Sequence, residues 1–240
     1  MFPLLLLILA TIISCVLANG GALYVFGDSL SDTGRLHTIT LGLVPPEPYW
    51  EGRFSSGPLW IEYVAQLQGL DLENYAVGAA ETSDSEPQLF GLLQMTIPST
   101  HDQINQFATH IVGTEADIAV LEIGGNNIIT GLPLILANHT TVDRFVNELA
   151  DTVAMQAAKL VSLGFHTVYV TNAPALQAIP LIRLEKRVDV AAEVVRAYNA
   201  ALEARVPTGS SVVLVDIEGF MHQAVQIAKV LGWVKDTESS

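Results

Sequence analysis

The sequence predicts an α/β fold in three layers, with a five-stranded parallel sheet covered by helices on both faces. Five short apolar segments are typical of buried strands: Leu23–Phe26, Tyr75–Val77, Ile118–Ile123, Thr167–Val170 and Val212–Val215. Longer stretches with apolar residues at helical spacing separate these segments. Strands that alternate with helices form parallel sheets, because the connection between two parallel strands has to cross a face of the sheet.

The stretches between the strands carry signals for the ends of helices. Pro58 is placed to open a helix, whereas Gly69 and Gly164 are placed to end one. Four helices are predicted, with the bounds Pro58–Gly69, Val142–Gly164, Val188–Ala204 and about Phe220–Leu231. In such a fold, ligands bind beyond the carboxyl ends of the strands. The residues that directly follow each strand are therefore the candidates for a site.

The net charge of the chain argues against nucleic acid as a partner. Among 240 residues, 25 are acidic and 11 are basic, which gives a formal net charge of −14. Such a surface repels phosphate backbones, so we expect no nucleic-acid partner. No repeat or linker divides the sequence. Residues 19–240 are expected to form one domain.

The N-terminal segment predicts secretion. Residues 1–18 read "MFPLLLLILATIISCVLA", an apolar run that ends in small residues typical of signal-peptide cleavage before Asn19. The run is short for a membrane span, although an anchor is the alternative. Cys15 is the only cysteine and lies within this segment, so the mature, extracellular protein is expected to lack disulfides. No stable membrane association is expected once the segment has been cleaved. Asn138 opens an N-glycosylation pattern that would apply in a secreted protein.

The first candidate for chemistry is Ser29, in "YVFGDSLSDTG" (Tyr24–Gly34). The segment runs from a strand into a cluster of small and polar residues, and Gly27 is expected to give the turn its backbone freedom. A serine on a sharp turn presents its hydroxyl beside free backbone N–H groups, as a nucleophile requires. The alternative is that Ser29 is a capping residue of the following helix.

Two further candidates follow the next predicted strands. Gly78 in "NYAVGAAETSD" offers a backbone N–H without a side chain in the way, and Asn126 in "LEIGGNNI" offers a side-chain amide after two glycines. Each motif alone is most often an ordinary turn. Together with Ser29 they bring a hydroxyl and two donors to one edge of the sheet, which is the arrangement of a nucleophile with an oxyanion hole.

These segments resemble the GDSL, or SGNH, esterases and lipases. "FGDSLSDTG", "NYAVGAA" and "IGGNN" are similar to the first three sequence blocks of that family, in order. "GRFSSGPLWIEYVAQ" is similar to the segment between the first and second blocks, and "TNAPALQAIP" and "YNAALEARV" resemble later stretches of its eukaryotic, fungal and plant-like branch. The resemblance covers Leu23 to about Trp233.

The resemblance implies a flavodoxin-like SGNH fold and ester hydrolysis. Ser29 would be the nucleophile, and the Gly78 N–H and the Asn126 side chain would donate to the oxyanion. No metal or cofactor is implied. The substrate would be a small-molecule, polysaccharide or lipid ester, and the sequence does not choose between acetylated sugars and lipids.

The chain departs from the family pattern at four places. Arg35, Ala79 and Asn127 replace a usual asparagine, a common second glycine and a usual aspartate, and only modest effects are expected. The general base of the family is a histidine in an Asp-x-x-His block, and no such motif occurs in these 240 residues. The domain is therefore expected to be incomplete at its C-terminus. His222 is the only histidine after the fifth strand, and a packed or solvated position on a helix is its alternative role.

Two hypotheses about function follow. The first is a secreted serine ester hydrolase that acts through an acyl-enzyme on Ser29, with its activity reduced by the missing base. The second is a non-catalytic protein that keeps the crevice and binds an acylated glycan or another ester. Turnover that depends on Ser29 separates the two.

Overall fold

The computed structural model describes residues 20–84, 87–90, 93–109, 112–206 and 211–230. The predicted signal peptide, its cleavage before Asn19 and the predicted helix end at Leu231 lie outside these residues. The elements follow in the order β1 (Ala22–Gly27), α1 (Arg35–Ile39), α2 (Trp60–Gln68), β2 (Asp71–Asn74), β3 (Gln88–Phe90), β4 (Leu93–Met95), α3 (Thr100–Ala108), β5 (Ile118–Glu122), α4 (Gly125–Leu136), α5 (Val142–Ser162), β6 (Thr167–Thr171), α6 (Pro180–Leu184), α7 (Val188–Glu203), β7 (Val212–Val215) and α8 (Ile217–Val230).

The central sheet has five strands in the order β2-β1-β5-β6-β7. Each neighbouring pair in it is parallel, as predicted, and the carboxyl ends of all five strands therefore lie at one edge. Strands β3 and β4 pair with each other in a separate antiparallel hairpin. The central strands β1, β5 and β6 are apolar along most of their length because both faces of the sheet are covered.

Two apolar cores cover the faces of the sheet. On one face, Tyr24 and Phe26 of β1 pack with helices α3, α4, α5 and α7, and Phe107 forms edge contacts with both aromatic rings. On the other face, Leu23 and Val25 pack with α2 and with Phe220 of α8. The alternation of side chains along β1 thus places one core on each side, which confirms the three-layer prediction.

The second strand differs from its prediction. The strand covers Asp71–Asn74, and the predicted segment Tyr75–Val77 follows it. The Tyr75 and Val77 N–H groups donate to the Val25 and Gly27 carbonyls at 2.7 and 3.0 Å, so this segment continues along β1 beyond the strand. The Asn74 side chain accepts the intervening Ala76 N–H at 2.9 Å. Because β2 is an edge strand with half-buried and exposed residues, it also lacks the apolar pattern that marks the central strands.

The predicted helices are present with small shifts. Gly69 ends α2 in a left-handed conformation (φ 64°). Helix α8 begins at Ile217, earlier than predicted, because Asp216 accepts the N–H groups of Gly219 and Phe220 at its start. In the part of the chain that the structure describes, no helix has both the length and the apolar character needed to cross a membrane.

Candidate active site

The turn after β1 leaves Ser29 unengaged. The carbonyl oxygen of the buried Asp28 accepts the N–H groups of Ser31 and Asp32 at 3.1 and 2.9 Å, and its carboxylate accepts the N–H of Leu30 at 3.1 Å. Ser29 is half-buried, and neither its backbone N–H nor its hydroxyl has a hydrogen-bond partner among the described residues. Asp28 therefore holds the turn, and the capping role considered for Ser29 is not the one that this structure shows.

Asp32 organises the backbone around this turn. Its side chain is buried, and its two carboxylate oxygens accept four backbone N–H groups. The donors are Gly34 at 2.8 Å, Arg35 at 2.6 Å, Leu36 at 2.9 Å and Gly78 at 2.7 Å. Asp32 thus begins helix α1 and also fixes the segment after β2 against the turn that carries Ser29.

The Gly78 N–H is not free for an oxyanion in this structure, contrary to the prediction. It donates to Asp32 Oδ2 at 2.7 Å. The next residue, Ala79, has a left-handed backbone (φ 64°), and its N–H has no partner among the described residues. The unengaged backbone donor of this turn therefore belongs to Ala79. The sequence favoured Gly78 as the backbone donor because a glycine has no side chain in the way. In the structure, the missing side chain instead allows neighbouring residues to pack against position 78.

Phe54 and Leu36 explain why residue 78 has no side chain. A Cβ atom added at Gly78 would lie 2.5 Å from the Phe54 ring and 2.8 Å from Leu36 Cδ2. We expect Gly78→Ala to cost about 1–3 kcal/mol of unfolding free energy, because the surrounding side chains would have to move. Urea denaturation measures this cost. Gly57→Ala is the matched control, since a Cβ there meets nothing within 4 Å, and equal effects of the two variants would refute the steric reason.

Asn126 joins the three segments that the sequence singled out. It lies in the first turn of α4, and its Nδ2 donates to the Ala80 carbonyl at 2.9 Å and to Asp28 Oδ2 at 3.2 Å. The structure thus brings the Asn126 amide beside the residue that precedes Ser29 and beside the turn that contains Ala79. The predicted meeting of the three segments is present, while both hydrogens of the amide are engaged within the protein.

A pair of buried carboxyls lies beneath this turn. Glu122 ends β5, where it pairs in register with Gly27, and its Oε2 accepts the Ser31 hydroxyl at 3.1 Å. Burial raises the pKa of the Asp28 carboxyl to about 6. Burial, together with the nearby Asp28 charge, raises the pKa of Glu122 well above its usual range. Two carboxyls this close and this buried cannot both ionise at low cost.

Sequence reasoning missed Glu122 and also Gln103. The buried Gln103 side chain accepts the Gly27 N–H at 2.9 Å and donates to the Gly27 carbonyl at 3.0 Å. Gly27 is not in a left-handed conformation, so its predicted backbone freedom is not used. A Cβ at that position would overlap the Glu122 carbonyl oxygen, and glycine is needed for this close approach. The available signal for Glu122 was a charged residue at the end of a fully apolar strand.

Among the described residues, no histidine side chain makes a hydrogen bond to the turn that holds Ser29. His222 is exposed on α8 and makes no hydrogen bond to a described residue. His101 and His166 approach Asp102 and Glu115 at 3.9 and 3.8 Å, and both pairs are exposed. No histidine in the described ranges hydrogen bonds to Ser29. Asp216, which precedes His222 by six residues, accepts Asn172 Nδ2 at 2.8 Å instead.

A comparison with models of known protein families identifies the family of this chain. The family model of the GDSL-like lipases and acylhydrolases matches residues 23–230. The chain belongs to this family. As a GDSL protein it carries the first family motif on the turn that holds Ser29.

The GDSL chain is similar to longer proteins. It is 28% identical over 180 residues to the phosphatidylcholine-sterol acyltransferase of Aeromonas hydrophila, which covers 74% of this chain and 52% of the relative. It is 23% identical over 193 residues to a GDSL esterase/lipase of Arabidopsis thaliana, covering 67% of this chain and 52% of the relative. The chain thus spans about half the length of these curated relatives.

Solved structures support the fold. A member of the lipolytic G-D-S-L family from Veillonella parvula matches with a TM-score of 0.54 at 16% identity, covering 87% of this chain and 84% of that one. A carbohydrate acetylesterase from Sinorhizobium meliloti matches with a TM-score of 0.50 at 14% identity, covering 88% and 99%. At this level of identity the likeness establishes the GDSL fold.

Proposed function

We propose that this chain is a serine ester hydrolase in which Ser29 is the nucleophile. The observation that carries the proposal is the free Ser29 hydroxyl. Asp28 and Asp32 accept the bonds that a capping serine would take, and they leave Ser29 half-exposed at the edge where the strands end. A side chain that the local fold does not use, at the place where such sheets bind ligands, is available for chemistry.

The geometry suggests how this reaction proceeds. The Ser29 oxygen attacks the ester carbonyl carbon, and the carbonyl oxygen takes the negative charge of the tetrahedral intermediate. The unengaged N–H groups of Ser29 and Ala79 are the backbone donors for that oxygen. The alcohol then leaves with the proton that the Ser29 hydroxyl gives up, the acyl group stays on Ser29, and water releases it as the acid. Asn126 contributes a third donor when its 3.2 Å bond to Asp28 is exchanged for the substrate oxygen.

The sequence does not contain the family motif that would supply a general base. No Asp-x-x-His motif occurs among the 240 residues, and His222 is exposed. We therefore expect slow turnover from this chain alone, because the motif that would take the proton of Ser29 is absent from the 240 residues. A non-catalytic, ester-binding protein is the alternative that the same observation favours.

The substrate class is part of the proposal. The relative in Aeromonas hydrophila is named for acyl transfer from phosphatidylcholine, and a similar fold belongs to a carbohydrate acetylesterase. These names support a carboxylic ester of a lipid or a carbohydrate. The apolar segment 1–18 supports secretion, and "TNAPALQAIP" and "YNAALEARV" support placement in the eukaryotic branch of the family.

Hydrolysis of p-nitrophenyl acetate tests the proposal. We expect release of p-nitrophenol above the buffer rate by the 240-residue chain, and the loss of that excess in Ser29→Ala, because the variant has no nucleophile at this position. Ser162→Ala is the matched control, because that exposed hydroxyl caps the end of α5 by donating to the Lys159 carbonyl. A fluorophosphonate probe should label the wild type and Ser162→Ala, and not Ser29→Ala.

Two outcomes would contradict the proposal. Hydrolysis that persists in Ser29→Ala would place the nucleophile elsewhere. Buffer-level hydrolysis without probe labelling in every variant, together with binding of an acetylated sugar or a phospholipid, would establish the non-catalytic alternative.

A further inference from the structure

The short helix α6 presents apolar side chains to solvent at the edge of the sheet where Ser29 lies. Leu184 is 81% exposed and Leu181 is 46% exposed, whereas Ile182 is completely buried and anchors the helix in the core. A single exposed leucine is ordinary on a protein surface. Two of them on a helix of five residues give α6 an apolar outer face, which is the kind of feature that marks an interaction surface.

The segment that carries α6 is fastened next to the proposed catalytic turn. Leu176 precedes α6 and is buried, and a Cβ atom added at Gly125 would lie 3.9 Å from its Cδ2 atom. The same Cβ would lie 3.8 Å from Asp28 Oδ2, so Leu176 and the Asp28 carboxyl flank one glycine. Leu30, which follows Ser29 along the chain, is itself 41% exposed. Exposed apolar side chains therefore come from both the turn of Ser29 and the segment packed beside it.

Cations lie beside the leucines of α6, although the chain as a whole is strongly acidic. Three of the 11 basic residues fall within five positions, at Arg183, Lys186 and Arg187. Arg187 pairs with Glu185 at 3.0 Å. Arg183 and Lys186 are exposed, and neither forms an ion pair with another described residue. Lys186 has a left-handed backbone (φ 55°) and donates its N–H to the Arg183 carbonyl at 3.1 Å, so the chain turns here and keeps both cations on one short segment.

We propose that the α6 patch, made of Leu181, Arg183, Leu184 and Lys186, docks this protein on the surface of a phospholipid aggregate. The leucines enter the boundary of the acyl layer, and the two cations meet phosphate groups. The charges favour this occupant over a second copy of the chain, because a symmetric contact between two such patches would bring the same cations together. Residues 176–188 contain no aromatic side chain that could stack on a sugar ring, which argues against a polysaccharide.

The docking is weak and reversible, and it is directed to a neutral lipid surface. Two leucines bury little area, so the contact does not amount to stable membrane association. The net charge of −14 makes the remainder of the protein surface repel anionic lipids. We therefore expect zwitterionic phosphatidylcholine to be the preferred surface. The inference goes beyond the proposed function, because docking needs neither a nucleophile nor a general base.

Sedimentation with phosphatidylcholine vesicles tests the docking. Residues 19–240 are used, because the apolar segment 1–18 would itself bind lipid and the described fold begins at residue 20. We expect this chain to partition to the vesicles, and Leu184→Ser to lower its partition coefficient by about 10-fold, since one leucine no longer leaves water. The double variant Arg183→Gln/Lys186→Gln should also weaken partitioning, because its side chains no longer carry the charges that phosphate attracts. The high exposure of Leu184 makes a folding defect in Leu184→Ser unexpected, and circular dichroism checks this.

Leu67→Ser and Lys159→Gln are the matched controls. Leu67 is a 54% exposed leucine on α2, and Lys159 is an exposed lysine on α5. Both variants should partition like the wild type. The proposal would be overturned by a wild type that does not bind the vesicles, by a folded Leu184→Ser that binds them fully, or by an equal loss in Leu67→Ser. Self-association of the wild type in sedimentation velocity that Leu184→Ser abolishes would assign the patch to a second copy instead.

Ser29→Ala separates docking from catalysis. This variant should partition to the vesicles like the wild type, because Ser29 is not part of the α6 patch. Leu184→Ser should in turn hydrolyse soluble p-nitrophenyl acetate at the wild-type rate, since that ester is not presented on a lipid surface. A wild type without hydrolysis therefore contradicts the proposed function alone, and the vesicle partitioning still decides whether α6 docks on lipid.

Discussion

Replacing Asp32 by alanine is expected to destabilise the protein by about 4 kcal/mol, which is a large part of the stability of a typical domain. The reason is the number of donors that would be left without an acceptor. Four backbone N–H groups converge on this carboxylate, and the side chain is completely buried. Each buried donor that loses its partner costs about 1–3 kcal/mol, reduced where water enters the space that the carboxylate leaves.

The measurement is urea denaturation followed by circular dichroism. Asp102→Ala is the matched control, because Asp102 caps α3 through the Ser99 N–H and hydroxyl and stays half-exposed. The loss of such a cap costs about 1 kcal/mol. Asp32→Asn should fall between the two, since one acceptor oxygen remains while the amide faces the other donors. A loss in Asp32→Ala no larger than that in Asp102→Ala would show that Asp32 does not organise this turn.

Some elements of the fold could be predicted from the sequence, whereas the edge strand could not. The central strands were predictable because both of their faces are buried, which leaves an apolar run at Ile118–Glu122. The meeting of the segments that carry Ser29 and Asn126 was predictable because parallel strands end at one edge. The edge strand was predicted four residues too late, since its own residues are exposed or half-buried and show no apolar run, whereas the apolar Tyr75–Val77 follows it along β1.

The hydrogen-bond partners inside the site were not predictable from local pattern. Asp32 and Gly78 are 46 residues apart, and Gln103 and Gly27 are 76 apart. Each pair forms only because the sheet brings distant segments together. The sequence therefore indicated that the segment after β2 lies beside Ser29, and it did not reveal that Asp32 engages the Gly78 N–H. Whether Ser29, Ala79 and Asn126 act in catalysis stays a prediction for the experiments above.

The buried carboxyl pair predicts that stability falls as the pH rises. The pKa of Asp28 is raised from 3.8 to about 6 on folding, so the folded state binds a proton over a range where the unfolded chain has released it. In that range the folded state holds more protons than the unfolded state, and the free energy of unfolding decreases with pH. The stabilisation is complete below pH 3.8 and is lost through about pH 6. The shift corresponds to about 3 kcal/mol.

Asp28→Asn removes this ionisation, so the variant and the wild type are expected to diverge with pH. The difference between their free energies of unfolding should change by about 3 kcal/mol in favour of the variant between pH 4 and 8. Asp28→Asn is expected to be the less stable protein at pH 4, because it loses Oδ2 as the acceptor for Asn126. Comparing the variant with the wild type at each pH cancels the contributions of the other carboxylates. A constant difference for Asp28→Asn across this range would mean that folding does not perturb the Asp28 carboxyl.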